Sequence, residues 1–213
     1  MNLPGWSPAP RTMGIVGVAV LAVLVLAGGA WFWYSASLER GQSLHADALA
    51  QAATARGANA SPPAVDRAIA ALDAALTQAP QASLGAQTAY ALGDLRYEKR
   101  EYAAARAAYG IALARTSSPT MRTLARAAIA ATWEAERKFA DAVTVYQAAL
   151  ADGDASRFYK EELLIGLGRN QELGGRRDDA IQTYQRVLRD VPKAQLRRES
   201  EVRGRLASLG VAG

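Results

Sequence analysis

Four 13-residue stretches of this chain align without a gap. They are AVDRAIAALDAAL at 64–76, EYAAARAAYGIAL at 101–113, KFADAVTVYQAAL at 138–150 and RRDDAIQTYQRVL at 176–188. The first shared column is Ala68, Ala105, Ala142 and Ala180, so successive copies are offset by 37, 37 and 38 residues. Four positions on stand Leu72, Tyr109, Tyr146 and Tyr184. Then come Ala75, Ala112, Ala149 and Val187, followed by Leu76, Leu113, Leu150 and Leu188. Steps of four, three and one lay these columns along one helical stripe. The small residue lets a neighbouring helix approach, and the aromatic and leucine side chains fill the space beside it. Alanine is abundant, 48 of 213 residues, which favours helix because alanine loses no side-chain entropy there. Ala103, Ala104, Ala107 and Ala108 have no counterpart in every copy, so part of the enrichment is compositional.

Each copy follows a second amphipathic stretch. These hold Leu92, Gly93, Leu95 and Tyr97 in the second unit, Ile129, Ala130 and Trp133 in the third, and Leu167 and Gly168 in the fourth. Gly93, Ala130 and Gly168 form another small column in register. Each unit therefore reads as helix A, a tight turn, and helix B. Ser118–Pro119 looks like an N-cap with proline in the first turn. Pro80 and Pro192 follow the first and fourth B helices as stops, and Gly174–Gly175 breaks the last unit. The first unit has a looser A helix from about 42 to 57 and an insertion, GANASPP, before its B helix. The expectation is an all-α solenoid of about four hairpins over 35–192. A basic helix and tail at 193–213 should cap the last hairpin through Leu196, Val202, Leu206 and Leu209, with Gly210 ending it.

This pattern resembles the tetratricopeptide repeat (TPR) family, which pairs leucine–glycine in helix A with alanine, aromatic, alanine and leucine in helix B. The matching positions are Leu92–Gly93, Leu167–Gly168, the four B-helix columns and Val191–Pro192. The period of 37–38 exceeds the family's usual one, and the surplus is assigned to loops between units.

Ahead of the repeats, after a short tail at 1–11, residues 12–34 read TMGIVGVAVLAVLVLAGGAWFWY. Met13–Tyr34 carries no charge and, as a helix, would be about 33 Å long, enough to cross a hydrocarbon core of about 30 Å. The WFWY cluster would lie among headgroups as an aromatic belt. Gly14, Gly17, Ala19 and Ala22 would suit packing against another membrane helix. The rival reading is a signal peptide cleaved near AGGA; against it stand a single basic residue in the n-region and apolar character that continues past the site. Orientation is nearly a tie between Arg11 and Arg40, with the N-terminal amine and short N-tail favouring N-in.

The order of parts resembles the YfgM-type ancillary subunits of the bacterial Sec translocon. The points of contact are GGAWFWYSASLERGQSLHADALAQA after the span and the LG…EYAAARAAYGIAL unit. The resemblance implies a periplasmic body held at the inner membrane, close to the translocon, periplasmic chaperones and exported clients. Two alternatives stay open: a structural accessory subunit of a larger membrane complex, and a cleaved, soluble periplasmic protein in envelope synthesis or division.

No catalytic motif is present. Cysteine is absent and His45 is the sole histidine, so a transition-metal site or a thiolate nucleophile is not expected. Ser43, His45 and Asp47 sit at i, i+2 and i+4, which do not converge on a helix as a triad requires. Glu161–Glu162 and Asp178–Asp179 lie near helix starts, where carboxylates complement the dipole. The net charge is +5 and seven basic residues crowd 186–205, but without interleaved aromatics that segment reads as a solvated face rather than a nucleic-acid site. No cofactor is expected, and the chain is not read as an enzyme. The remaining expectation is protein binding on the concave face of the A helices, at Asp94, Tyr97, Glu98, Glu134, Arg169 and Glu172. A lysine–asparagine clamp for acidic chaperone tails is not expected, since Asn170 is the only asparagine in the A helices and has no matching lysine.

Overall fold

A computed structural model describes residues 10–56, 60–152 and 158–211, giving only the backbone for 10–20 and 22. Among the described residues the chain is all-helical, with nine helices and no strand. They are α1 (Pro10–Ala55), α2 (Pro62–Gln78), α3 (Gly85–Glu98), α4 (Tyr102–Arg115), α5 (Pro119–Ala135), α6 (Phe139–Leu150), α7 (Lys160–Leu173), α8 (Arg177–Asp190) and α9 (Glu199–Ser208). Each helix packs on the next in chain order, and α1 also meets α3 while α5 meets α7. Such local, stepwise packing fits an α-solenoid: a hairpin cannot bury its apolar stripe alone, and the neighbouring hairpin covers it.

The aligned columns form the seam between helices. Ala68, Ala105, Ala142 and Ala180 are buried, as are Leu72, Tyr109, Tyr146 and Tyr184. Ala75, Ala112, Ala149 and Val187 are fully enclosed, and Leu92 and Leu167 on the A helices are buried too. The last column differs: Leu76 is buried, whereas Leu113, Leu150 and Leu188 are half-buried at its edge. Ser118 accepts a hydrogen bond from the Met121 N–H at 3.4 Å and so caps α5. Small residues are needed where aromatic rings cross the A helices. A Cβ on Gly93 would lie 2.5 Å from the Tyr109 ring, and one on Gly168 would lie 2.8 Å from that of Tyr184. The third hairpin departs from this. Ala130 carries a Cβ, and the Tyr146 ring lies instead against Gly166 of the following hairpin, where a Cβ would come within 2.6 Å.

The A-to-B turns of the second, third and fourth hairpins share one backbone device. Arg100, Arg137 and Gly175 all have positive φ, at 61°, 59° and 77°. In each, the next residue's N–H donates five positions back: Glu101 to Arg96, Lys138 to Trp133, and Arg176 to Gln171. That is a left-handed helix closure, which glycine adopts without steric penalty and arginine does not. Arg100→Gly and Arg137→Gly are each expected to raise stability by about 0.5–1 kcal/mol, measured as a rise in the urea midpoint at unchanged slope.

α1 is one unbroken helix from the apolar segment into the first hairpin, so helix A of that unit is its C-terminal part. Ala48, Ala52 and Ala55 are buried there against α2 and α3. His45 is fully buried: its Nε2 donates to the Ala79 carbonyl at 3.0 Å, and its Nδ1 lies 2.7 Å from the Thr88 hydroxyl. A carbonyl only accepts, so Nε2 carries a proton. Among the described residues no helix is long and apolar enough to cross a membrane. The side chains of the expected span at 12–20 and at 22, including Gly14, Gly17, Ala19 and Ala22, lie outside the described residues. At Leu21 and from Val23 to Tyr34 the helix stands uncovered, with Leu24, Leu26, Trp31, Phe32 and Trp33 all exposed.

Candidate functional site

The face built by α3, α5 and α7 carries two cavities with a shared alanine floor. The upper one, about 240 Å³, lies between Tyr90 of α3, Ala127, Ala128 and Ala131 of α5, and Tyr159 and Glu162 before and at the start of α7. The lower one, about 400 Å³, lies between Tyr97, Ala131, Glu134, Arg169 and Leu173. Alanines at 127, 128 and 131 lie on one side of α5 by helical spacing, and their short side chains leave the depression between flanking helices.

Most of the polar residues expected on this face are committed to one another. Asp94 accepts from the Tyr109 hydroxyl at 2.7 Å and pairs with Arg56 of the preceding hairpin. Glu172 accepts from the Tyr184 hydroxyl at 2.9 Å and faces Arg205 at 3.4 Å. Arg169 grips Glu134 with two hydrogen bonds, at 2.6 and 2.9 Å, joining α7 to α5. Asn170 adds a third bond to the same carboxylate at 2.8 Å. The hydrogen bonds from Arg169 itself to Glu134 are the main reason its guanidinium is raised above its ordinary pKa. Bidentate, half-buried pairing of this kind fixes geometry between neighbouring units. Tyr97 stacks edge-on against Tyr102 at 5.5 Å between ring centres. Burial first, and then Tyr102, pushes its phenol upward. Glu98 is exposed at the end of α3.

The open groups are others. Glu162 is half-exposed and makes no hydrogen bond or ion pair with any described residue. Tyr90 faces the same cavity with its ring 5.3 Å from that of Tyr109. Burial, followed by the Asp94 charge, pushes its phenol up to about 12, so it stays a neutral hydroxyl across physiological pH. Arg198 closes one rim and is held by Glu201 at 2.8 Å. Tyr90, Tyr159, Glu162 and Arg198 carried no repeat signal, because they lie outside the aligned columns; of the residues expected on the concave face, Tyr97, Glu134 and Arg169 do line the two cavities. Among the described residues no group of histidine and carboxylate side chains is placed to hold a metal ion.

No family model and no curated protein matches this chain. Its class is therefore defined by its architecture, an all-helical, repeat-like body continuous with an exposed apolar helix.

Proposed function

We propose that this chain is a single-pass, membrane-anchored TPR adaptor that binds protein segments on the face of α3, α5 and α7. Its body stands on the periplasmic side of a bacterial inner membrane, near the translocon and its chaperones. The observation that carries the anchor is the uncovered apolar helix: Trp31 and Phe32 are 73 and 76% exposed, on a helix that runs without a break into a packed body. Exposed apolar surface of that extent needs a lipid or protein cover. Support for segment binding comes from the alanine-floored groove, where the free Glu162 carboxylate and the Tyr90 and Tyr159 rings would receive an extended or helical segment with small apolar side chains and a basic group.

The test is crosslinking in native membranes followed by identification of the captured proteins, with the wild type beside Ala128→Trp, which fills the groove. The intact N-terminus should be found by mass, and the protein should resist carbonate extraction. Translocon components or exported clients should be captured, and Ala128→Trp should lower their yield roughly tenfold. A mature start at Trp31 would overturn the anchor. A single fixed, stoichiometric complex without translocon components would replace the adaptor with a structural accessory subunit.

A further inference from the structure

Where α1 leaves the apolar segment, a cavity of about 530 Å³ opens between that helix and the turn joining α2 to α3. This lies within the usual range for small-molecule sites, about 300–1,000 Å³. Its wall on α1 is the stripe Trp33, Ser37, Arg40 and Leu44, at helical spacings of four, three and four. The opposite wall is the turn around Pro80. Gly41 sets the separation: a Cβ there would stand 3.0 Å from the Cβ of Ala79. The site is graded along the helix axis, with aromatic rings at the apolar end, the Arg40 cation next to them and Leu44 at the body end.

Arg40 is the charged group of this cavity and makes no ion pair with any described residue. Its Nε donates to the Ala36 carbonyl at 3.0 Å, so the guanidinium is folded back toward the apolar segment, and its terminal nitrogens are left open. Side chains on a helix lean toward its N-terminus, which places this head roughly 3 Å along the axis beyond Tyr34. If the hydrocarbon ends at the WFWY cluster, that is the depth of lipid phosphates, in the layer of about 5–8 Å between hydrocarbon and water. A guanidinium is matched to phosphate by its planar donor fork.

We infer that this cavity binds one glycerophospholipid of the surrounding bilayer, with its phosphate on Arg40, its glycerol beside Leu38 and its upper acyl chain against Trp33 and Tyr34. The inference rests on the membrane-anchor reading above. The bound lipid would fill the wedge between helix and body, and would fix the tilt at which the repeats stand on the membrane.

The experiment is native mass spectrometry of the full chain released from detergent micelles, with phosphatidylglycerol added and diacylglycerol of the same chains as the phosphate-free probe. One phosphatidylglycerol per chain should be retained, and diacylglycerol should not. Arg40→Gln should lower retention roughly tenfold, the loss expected for one charge-assisted contact. Arg67→Gln is the control: Arg67 is an exposed arginine of α2 whose Nε also donates to a carbonyl four residues back, at 3.2 Å, but it lies outside the cavity. Equal retention by wild type and Arg40→Gln would overturn the site, as would equal retention of diacylglycerol, or equal occupancy by free glycerol phosphate. Carbonate extraction of the same membranes separates the two failures. A chain that is released has lost the anchor reading; one that stays but ignores Arg40→Gln has lost only the lipid site.

Discussion

Gly93→Ala is expected to destabilise the body by about 2–3 kcal/mol, while Gly110→Ala, one helix away, is expected to stabilise it by about 0.5–1 kcal/mol. The two substitutions make the same chemical change in the interior of a helix. On propensity alone both should help, since alanine is the better helix former. The sign is decided by what the new methyl group meets. At Gly110 nothing lies within 4 Å. At Gly93 the methyl would fall 2.5 Å from two carbons of the Tyr109 ring. That ring has no easy retreat: its hydroxyl is held by Asp94 at 2.7 Å, and it packs, tilted by 56°, against the Tyr90 ring with centres 5.3 Å apart. Relief would require α3 and α4 to separate, which opens the seam at Ala105 and Ala112. In a thermal scan the pair should split, with Gly93→Ala falling by roughly 5–10 °C and Gly110→Ala rising by a few degrees. If Gly93→Ala rose as well, the close approach of ring and backbone would not be what selects glycine there.

The same packing logic explains what could be read from the sequence and what could not. The B-helix columns were legible because burial against a neighbouring helix repeats with the helical period, and every hairpin solves the same packing problem. The contact made by Tyr146 was not: it depends on Ala130 denying the ring a seat in its own hairpin and Gly166 offering one in the next, a choice made between units. The unbroken α1 was hidden for a local reason. The segment SASLERGQS resembles a linker, yet it contains no proline, and its serines do not cap a new helix. Ser35, Ser37 and Ser43 donate instead to the carbonyls of Phe32, Tyr34 and Arg40, at 3.0, 2.7 and 3.0 Å. Serine bonded back to its own helix lets the helix continue. The expected binding residues Asp94, Glu134, Arg169 and Glu172 do lie on A helices, but their partners stand 12 to 38 residues away in sequence. A one-dimensional pattern shows which side chains face outward; it does not show which of them reach each other.

Glu161→Ala is expected to release α9 from the end of the stack, weakening its attachment by about 2–4 kcal/mol. Near a helix start, Glu161 and Glu162 look alike, two carboxylates suited to the dipole of α7. The structure separates them. Glu162 faces the groove, half-exposed, whereas Glu161 is only 4% exposed, and one of its oxygens accepts from the backbone N–H groups of Arg197 and Arg198 at 2.9 and 2.6 Å. Those two N–H groups lead into α9, where they have no intrahelical acceptor. Removing the carboxylate leaves both donors without their partner at the edge of a core where Val202 and Leu206 pack with Leu164, Ile165 and Val187. A helix of 10 residues does not persist by itself in water, so its loss of attachment becomes unfolding of the segment rather than a shift. Trypsin should then cleave after Arg197, Arg198 and Arg203 about 30-fold faster or more, since cleavage follows the population of the opened form. Glu162→Ala removes the same charge one position away and should leave that rate unchanged. Equal cleavage of both variants would mean that α9 is held by its apolar edge alone. Faster cleavage confined to Glu161→Ala would show that a single buried carboxylate holds α9 over the core in which Leu164 and Ile165 are buried.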